Sequence, residues 1–251
     1  MPSDKASSFD PGDFAARVEA AALGAGFGVE QFGEAGGWPL LALHRKRGEP
    51  RTRLYFSSGI HGDEPAPPLA LLGLIEEGAF DDRAEWTLCP MLNPTGLARG
   101  TRENAAGLDL NRDYRNTRSP EILAHIQWLR RQAAYDLTFC LHEDYESVGF
   151  YLYEQNPDGR TSLAPALLAA AAAHCPIDMS PVIDGREAHG GTIHPQGDLS
   201  DRELWAEAFF LRAHLTHLAY TVETPSSFPL ARRVAALRAA VLAVLQTVSV
   251  S

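Results

Sequence analysis

The chain is poor in cysteine, in positive charge and in long apolar runs. Its three cysteines (Cys89, Cys140 and Cys175) are odd in number and scattered over 251 residues, which excludes a disulfide framework. Cys89 and Cys140 lie in apolar, strand-like stretches, so buried free thiols are expected. Lys and Arg total 22 against 32 Asp and Glu, a formal net charge of −10. Nucleic acid is excluded as a partner, because phosphate neutralisation needs a basic face. An anionic membrane surface is excluded for the same reason. An anionic small substrate is not, since a pocket can be locally basic inside an acidic protein. The most apolar stretch, Leu163 to Ala173, falls far short of the ~20 residues that span a bilayer. Met1-Pro2-Ser3-Asp4-Lys5 is polar and lacks the apolar core of an export signal, so a cytoplasmic location is expected. No repeat, low-complexity tract or linker divides the chain. Residues 1–10 are expected to form a mobile tail and residues 11–251 one large domain with a substantial core.

Local patterns suggest alternating elements. Phe14, Ala15, Val18 and Ala22 recur at helical spacing over 11–25, with Gly26 as a stop. Strands are expected at 27–32, 39–45 and 53–58. Residues 65–77 read as an apolar helix with its prolines near the start. A strand at 85–92 precedes a long loop, 93–118, rich in Gly, Asn and Arg, of the kind that carries function. Ser119 caps a helix with Pro120 in its first turn. Strands at 136–141 and 149–154, a helix at 162–174 and a Gly- and His-rich loop at 183–198 follow. A helix capped by Ser200 and running to 215, a strand at 218–222 and a helix at 230–245 close the chain. Such alternation predicts an α/β fold, three layers deep, with a mixed and mostly parallel central sheet covered on both faces.

His61-Gly62-Asp63-Glu64 follows the apolar run Arg53 to Ile60. A histidine and a glutamate three residues apart at a strand's carboxyl end can grip one metal ion from a rigid edge. His142, after the strand at 136–141, adds a third ligand from the same sheet edge, where ligands of open α/β sheets collect. Two imidazoles and a carboxylate are a donor set for catalytic zinc, one ion per chain, with one position left for water. Glu223 ends the strand at 218–222, where poor solvation suits a base whose pKa must sit near the operating pH. The loop at 93–118 carries Arg102, Asn111 and Arg112, and an arginine fork pairs well with a carboxylate. Arg99, Arg115 and Arg118 are expected to be solvated.

His61-x-x-Glu64, Asn93-Pro94-x-Gly96, Arg102-x-Asn104-x-x-Gly107-x-Asp109-x-Asn111-Arg112, His142 and Glu223 occur in an order that resembles the zinc carboxypeptidase superfamily of carboxypeptidase A. That superfamily includes murein-peptide amidases and the succinylglutamate desuccinylase/aspartoacylase branch. The resemblance spans about residues 53–225. It implies that His61, Glu64 and His142 are zinc ligands and that Glu223 is the general base and acid. It implies that Arg102 polarises the scissile carbonyl and that Asn111 and Arg112 clamp a substrate carboxylate. Asp109 would orient the first histidine ligand. Thr221 shares a strand face with Glu223 and is expected to line the specificity pocket.

The chain departs from the digestive carboxypeptidases. Its loops between Glu64 and His142 are shorter, and no tyrosine stands where those enzymes place a mobile, substrate-covering one. Arg186, His189, His194, Asp198 and Arg202 occupy the region before Glu223. The loop at 184–198 is expected to be a specificity wall with its histidines exposed or hydrogen-bonded; a second metal site with Glu143 or Asp144 is the alternative. After Glu223 a single helix is expected, without the β domain of the desuccinylase branch. The leading expectation is a carboxypeptidase or peptide amidase acting on a substrate with a free carboxylate. The alternatives are an N-acyl amino acid deacylase and a catalytically silent peptide-binding domain.

Overall fold

The computed structural model describes residues 9–46, 48 and 52–247. The elements run α1 (Pro11–Gly24), β1 (Gly28–Ala35), β2 (Trp38–Arg45), β3 (Arg53–Ser57), α2 (Ala66–Glu76), β4 (Glu85–Cys89), α3 (Pro94–Arg99), α4 (Pro120–Leu129), β5 (Leu137–Asp144) and β6 (Tyr151–Gln155). There follow α5 (Ala164–Ala172), β7 (Val182–Ile183), β8 (Arg186–Glu187), β9 (Thr192–Ile193), α6 (Glu207–His214), β10 (Ala219–Pro225) and α7 (Leu230–Thr247). Most of the expected tail, residues 1–8, lies outside the described residues. Its last residue, Asp10, caps α1 by accepting from the Gly12 and Asp13 amides, and Phe9 packs on Phe14 with ring centroids 5.0 Å apart.

Among the described residues eight strands form one mixed sheet in the order β1-β2-β4-β3-β5-β10-β6-β9. β4, β3, β5 and β10 run parallel at its centre, and β2 and β6 flank them antiparallel. The central strands are almost wholly buried because helices cover both faces. Alternation sorts their side chains between two cores. Leu54, Phe56, Phe139, Leu141, Tyr220 and Val222 pack with α1, α2, α5 and α7. Tyr55 and Cys140 pack on the other side with α4 and α6. The expected α/β architecture is therefore present, and all three cysteines are buried and free. Among the described residues no helix is long and apolar enough to cross a membrane.

Three local expectations need correction. The loop at 93–118 contains α3, capped by Asn93 Oδ1 accepting from the Gly96 amide at 2.8 Å and ended by Gly100 at φ 64°. Six residues with no amphipathic stripe leave only cap residues as a signal. The helix expected from Ser200 starts only at Glu207. Asp198, not Ser200, caps a single 3-10 turn at Leu199–Asp201, and Trp205 then bridges to Asp113 and accepts from the Tyr114 amide at 3.2 Å. Tertiary pairing with a distant loop overrides local helix propensity there. The loop at 183–198 contributes three two-residue strands, of which β9 joins the edge of the main sheet.

Candidate active site

The site lies on the α4/α6 face of the sheet, at the carboxyl ends of β3, β5 and β10. The chain leaves β3 into a turn that holds His61 and Glu64. This turn abuts α3 backbone to backbone: a Cβ at Gly62 would collide with Gly96, and one at Gly96 with Asn93. Asn93 donates to the Ile60 carbonyl at 3.1 Å and ties the two turns together. Within β5, residues of opposite parity diverge. His142 turns into the site. Glu143 turns away, accepts from the Ala66 amide at 2.6 Å at the start of α2, and pairs with Arg233 of α7.

His61, Glu64 and His142 are 2–3% exposed. One potential ligand atom from each lies within 4.8 Å of the other two, and among the described residues no second such group of three forms. His61 Nδ1 is 2.5 Å from Glu64 Oε1, and His142 Nδ1 is 3.0 Å from Glu64 Oε2. Both rings thus aim the same nitrogen at one carboxylate. Burial disfavours charge on Glu64, but His61 and His142 outweigh it and hold its carboxyl well below the ordinary range. Burial likewise acts against a charged His61, yet Glu64 and Asp109 raise its pKa. The cluster draws positive charge to its centre, and its donors are those a divalent cation takes. Residues and chemistry both fit a metal ion.

Asp109 stands behind His61. Its Oδ1 is 3.4 Å from His61 Nε2, which has no closer partner, and its Oδ2 accepts from Arg102 Nε at 3.0 Å. Burial alone would raise the Asp109 pKa; His61, Arg102 and Arg112 reverse this and hold it far below its usual value. Arg102 Nη1 lies 3.3 Å from His61 Nδ1 and 4.0 Å from Glu64 Oε1, so its guanidinium borders the cluster.

Glu223 on β10 is the register partner of His142 on β5 and of Tyr151 on β6. Those three side chains form one row across the sheet. Thr221 forms a second row with Cys140 and Tyr153. Glu223 is partly exposed to the pocket, yet protein surrounds it. Burial pushes its pKa up, with Glu64 and Asp144 adding to the effect and His142 and Arg102 opposing it. Among the described residues no side-chain hydrogen bond engages its carboxylate.

Both rows open into a pocket of about 480 Å³ that Arg102, Asn111, Arg112, Thr221 and Glu223 also line. Asn111 is buried, with Oδ1 accepting from the Glu207 amide at 2.9 Å. Arg112 is exposed; its Nη1 donates to the Asn111 carbonyl at 2.9 Å, and no described carboxylate forms an ion pair with it. Arg99, Arg115 and Arg118 do not reach the pocket. Neither His189 nor His194 lines it: both are exposed, and His189 lies 3.4 Å from Glu187.

Sequence reasoning missed Tyr151 and Tyr153, and it offered Asp144 only as a ligand of a second metal site. Tyr151 donates to Asp144 at 2.9 Å, and Tyr153 donates to Asp184 on the far wall. Alternate tyrosines on one strand are a local signal, but only the pairing of β6 with β10 brings them beside Glu223. Arg186 and Arg202 do line the pocket. Arg202 stacks over Phe209 at 4.5 Å.

A sheet of this topology, with a buried His-Glu-His cluster and arginines at its carboxyl edge, defines a hydrolase of the metallocarboxypeptidase-like kind. The chain belongs to the succinylglutamate desuccinylase/aspartoacylase catalytic-domain family, which it matches over residues 50–211. Over its whole length it resembles a protein of Shewanella amazonensis SB2B, provisionally named a metallopeptidase. Identity is 25%, with 95% of this chain and 93% of that one covered and a TM-score of 0.82. A metallo-carboxypeptidase of Burkholderia cenocepacia shares the fold at 20% identity and TM-score 0.70, with 92% of this chain and 67% of that one covered. A metallo-carboxypeptidase of Pseudomonas aeruginosa, solved with (2-guanidinoethylmercapto)succinic acid, shares it at 24% identity and TM-score 0.67, with the same coverage. No curated protein matches the chain.

Proposed function

We propose that the protein is a zinc-dependent amide hydrolase whose substrate carries a free carboxylate beside the bond that is cut. The observation that carries this is the convergence of the His61–Glu64–His142 cluster, an unengaged Glu223 carboxylate and an exposed Arg112 on one pocket. His61, Glu64 and His142 hold one zinc ion, which when bound polarises water and carbonyl oxygen as a Lewis acid. Glu223 takes a proton from the attacking water. Arg102, beside the cluster, donates to the carbonyl oxygen as negative charge develops there. Glu223 then returns the proton to the leaving nitrogen. Arg112 and the Asn111 amide hold the carboxylate and fix the reacting bond against Glu223, which removes much of the entropic barrier. Thr221 shapes the wall next to the base.

Two substrate classes fit this geometry. A carboxypeptidase or peptide amidase is favoured by the short interval between Glu64 and His142 and by the fold shared with metallo-carboxypeptidases. An N-acyl amino acid deacylase is favoured by the family match over residues 50–211. A screen of zinc-loaded protein against C-terminal dipeptides, γ-glutamyl-diaminopimelate peptides and N-acyl amino acids separates them. Release of a free C-terminal residue selects the first, release of a free acid from acylated glutamate or aspartate selects the second, and no hydrolysis of any class defeats the proposal.

A further inference from the structure

Beneath the pocket floor runs a buried polar chain that the proposed chemistry does not use. Glu207, the first residue of α6, is 1% exposed. Its Oε1 accepts from the Tyr55 hydroxyl at 2.7 Å and its Oε2 from the Ser57 hydroxyl at 2.9 Å. Tyr55 Oη also lies 3.0 Å from His125 Nε2, and His125 Nδ1 lies 2.7 Å from Tyr114 Oη. Burial holds the His125 pKa down at about 3, so the ring is neutral and carries one N–H. The proton positions then follow one from another. With Tyr55 donating to Glu207, the Tyr55 oxygen accepts from His125 Nε2–H. The bare Nδ1 accepts from Tyr114. In this arrangement a carboxylate at 207 closes the chain by taking two donors, one on each oxygen.

Burying a carboxylate is costly, and its position shows what it joins. The Glu207 backbone N–H donates to Asn111 Oδ1. Only the oxygen end of that amide can accept, so the Nδ2 end is left for the pocket that Asn111 lines. Tyr114, on the same turn, is held through His125. Tyr55 and Ser57 sit on β3, whose exit leads directly to His61 and Glu64. One buried side chain therefore bonds the strand that feeds the metal-ligand turn, while its own backbone grips the turn that carries Asn111 and Arg112.

We propose that Glu207 is a positioning residue: it sets the separation between the His61–Glu64 turn and the Asn111–Arg112 clamp, and so the register of a carboxylate-bearing substrate against the reacting bond. The inference rests on the functional reading above, and it adds a residue to which that reading gives no role. An amide at 207 offers one oxygen and one NH2, so only one of the two hydroxyls keeps its acceptor; the other must reverse and accept from the amide nitrogen, which loosens the bonding that holds β3 against the clamp.

The test compares Glu207→Gln with wild type as zinc-loaded protein. The first readout is calorimetric binding of free succinate. The second is the ratio of kcat/KM between a substrate found in the screen and the same substrate with its carboxylate amidated. Zinc content should stay unchanged. Succinate affinity should fall about tenfold, the scale of one misplaced hydrogen bond to a charged group, and the ratio should fall with it. Ser57→Ala removes one donor and should give a smaller shift in the same direction; it carries the test if the Gln variant does not fold. Unchanged succinate affinity, or equal impairment on both substrates, overturns the positioning role. If wild type hydrolyses neither substrate, the amidase reading falls while the succinate shift still decides the role of Glu207. Wild-type protein that does not bind succinate removes the clamp, and this proposal with it.

Discussion

Glu223 and His142 are direct register partners on the parallel strands β10 and β5. In the proposed function His142 holds the metal ion and Glu223 carries the proton, from adjacent positions of a rigid sheet. Neither depends on a loop for its placement. This makes substitutions at Glu223 unusually clean, because the sheet holds the site whether or not the carboxylate is there.

Glu223→Gln should leave zinc binding intact and slow turnover by roughly 10²–10⁴-fold, the usual contribution of a positioned general base. His61, Glu64 and His142 are untouched by the change, and no described hydrogen bond is lost with the carboxylate. Metal analysis beside steady-state kinetics checks this. Near-normal kcat at full zinc occupancy would exclude Glu223 as the proton carrier.

Arg112→Ala should act on binding more than on chemistry. The guanidinium is exposed and its only described hydrogen bond goes to the Asn111 carbonyl, so its loss costs the fold little. KM for a carboxylate substrate should rise by one to two orders of magnitude, roughly the value of a charge-assisted pair, while an amidated substrate should be nearly unaffected. Equal KM values for variant and wild type would reject the clamp.

Much of this was legible in the sequence wherever the signal was local. The strand before His61, the strand before His142 and the Ser119–Pro120 helix start all announce themselves by apolar pattern and cap chemistry. Divergent parity along β5 also follows from strand periodicity, although the role of Glu143 required its partner Arg233, 90 residues away. What stayed hidden depends on pairing between distant segments. The delayed start of α6 follows from Trp205 meeting Asp113 and from the Glu207 amide meeting Asn111. The tyrosines beside Glu223 follow from the register of β6 on β10. No window of sequence contains either relationship.

Arg233→Ala should destabilise the fold by about 1.5–3 kcal/mol, because the buried Glu143 loses a charge-assisted hydrogen bond and must take up a proton instead. The Glu143 side chain is fully buried and that of Arg233 is 13% exposed, so solvent cannot replace the partner. Burial already lifts the Glu143 pKa to about 7 against the pull of Arg233. Urea unfolding at pH 8 measures the loss. A change below about 1 kcal/mol, the scale of an exposed pair, would show that the two charges do not depend on each other.

Removal of zinc should lower stability without unfolding the sheet. A ligand that binds only the folded state adds about 4 kcal/mol at a thousand times its Kd. His61 and His142 both lie within hydrogen-bonding distance of Glu64, so chelation should cost the binding energy of the ion rather than the fold. Chelation should lower the unfolding midpoint, and added zinc should restore it. A midpoint insensitive to both would mean that no metal occupies the cluster in the folded protein.

Acid should weaken the fold through His125. Its folded pKa, about 3, lies below the ordinary imidazole value of 6.5 because burial penalises the imidazolium. The unfolded chain therefore binds a proton that the folded chain refuses, and the stability this residue contributes is full above pH 6.5 and lost as the pH falls toward 3. Over that window the loss approaches ~1.4 kcal/mol per pH unit. Glu207 acts with the opposite sign, since burial raises its pKa and favours its protonated form, so the bulk acid profile mixes the two. Comparing wild type with His125→Gln separates them. The variant keeps a donor and an acceptor for Tyr55 and Tyr114 but cannot take up the proton, and its deficit relative to wild type should shrink steadily in urea titrations from pH 7 to pH 5. A deficit that stays constant across that range would mean that His125 does not titrate between the two states.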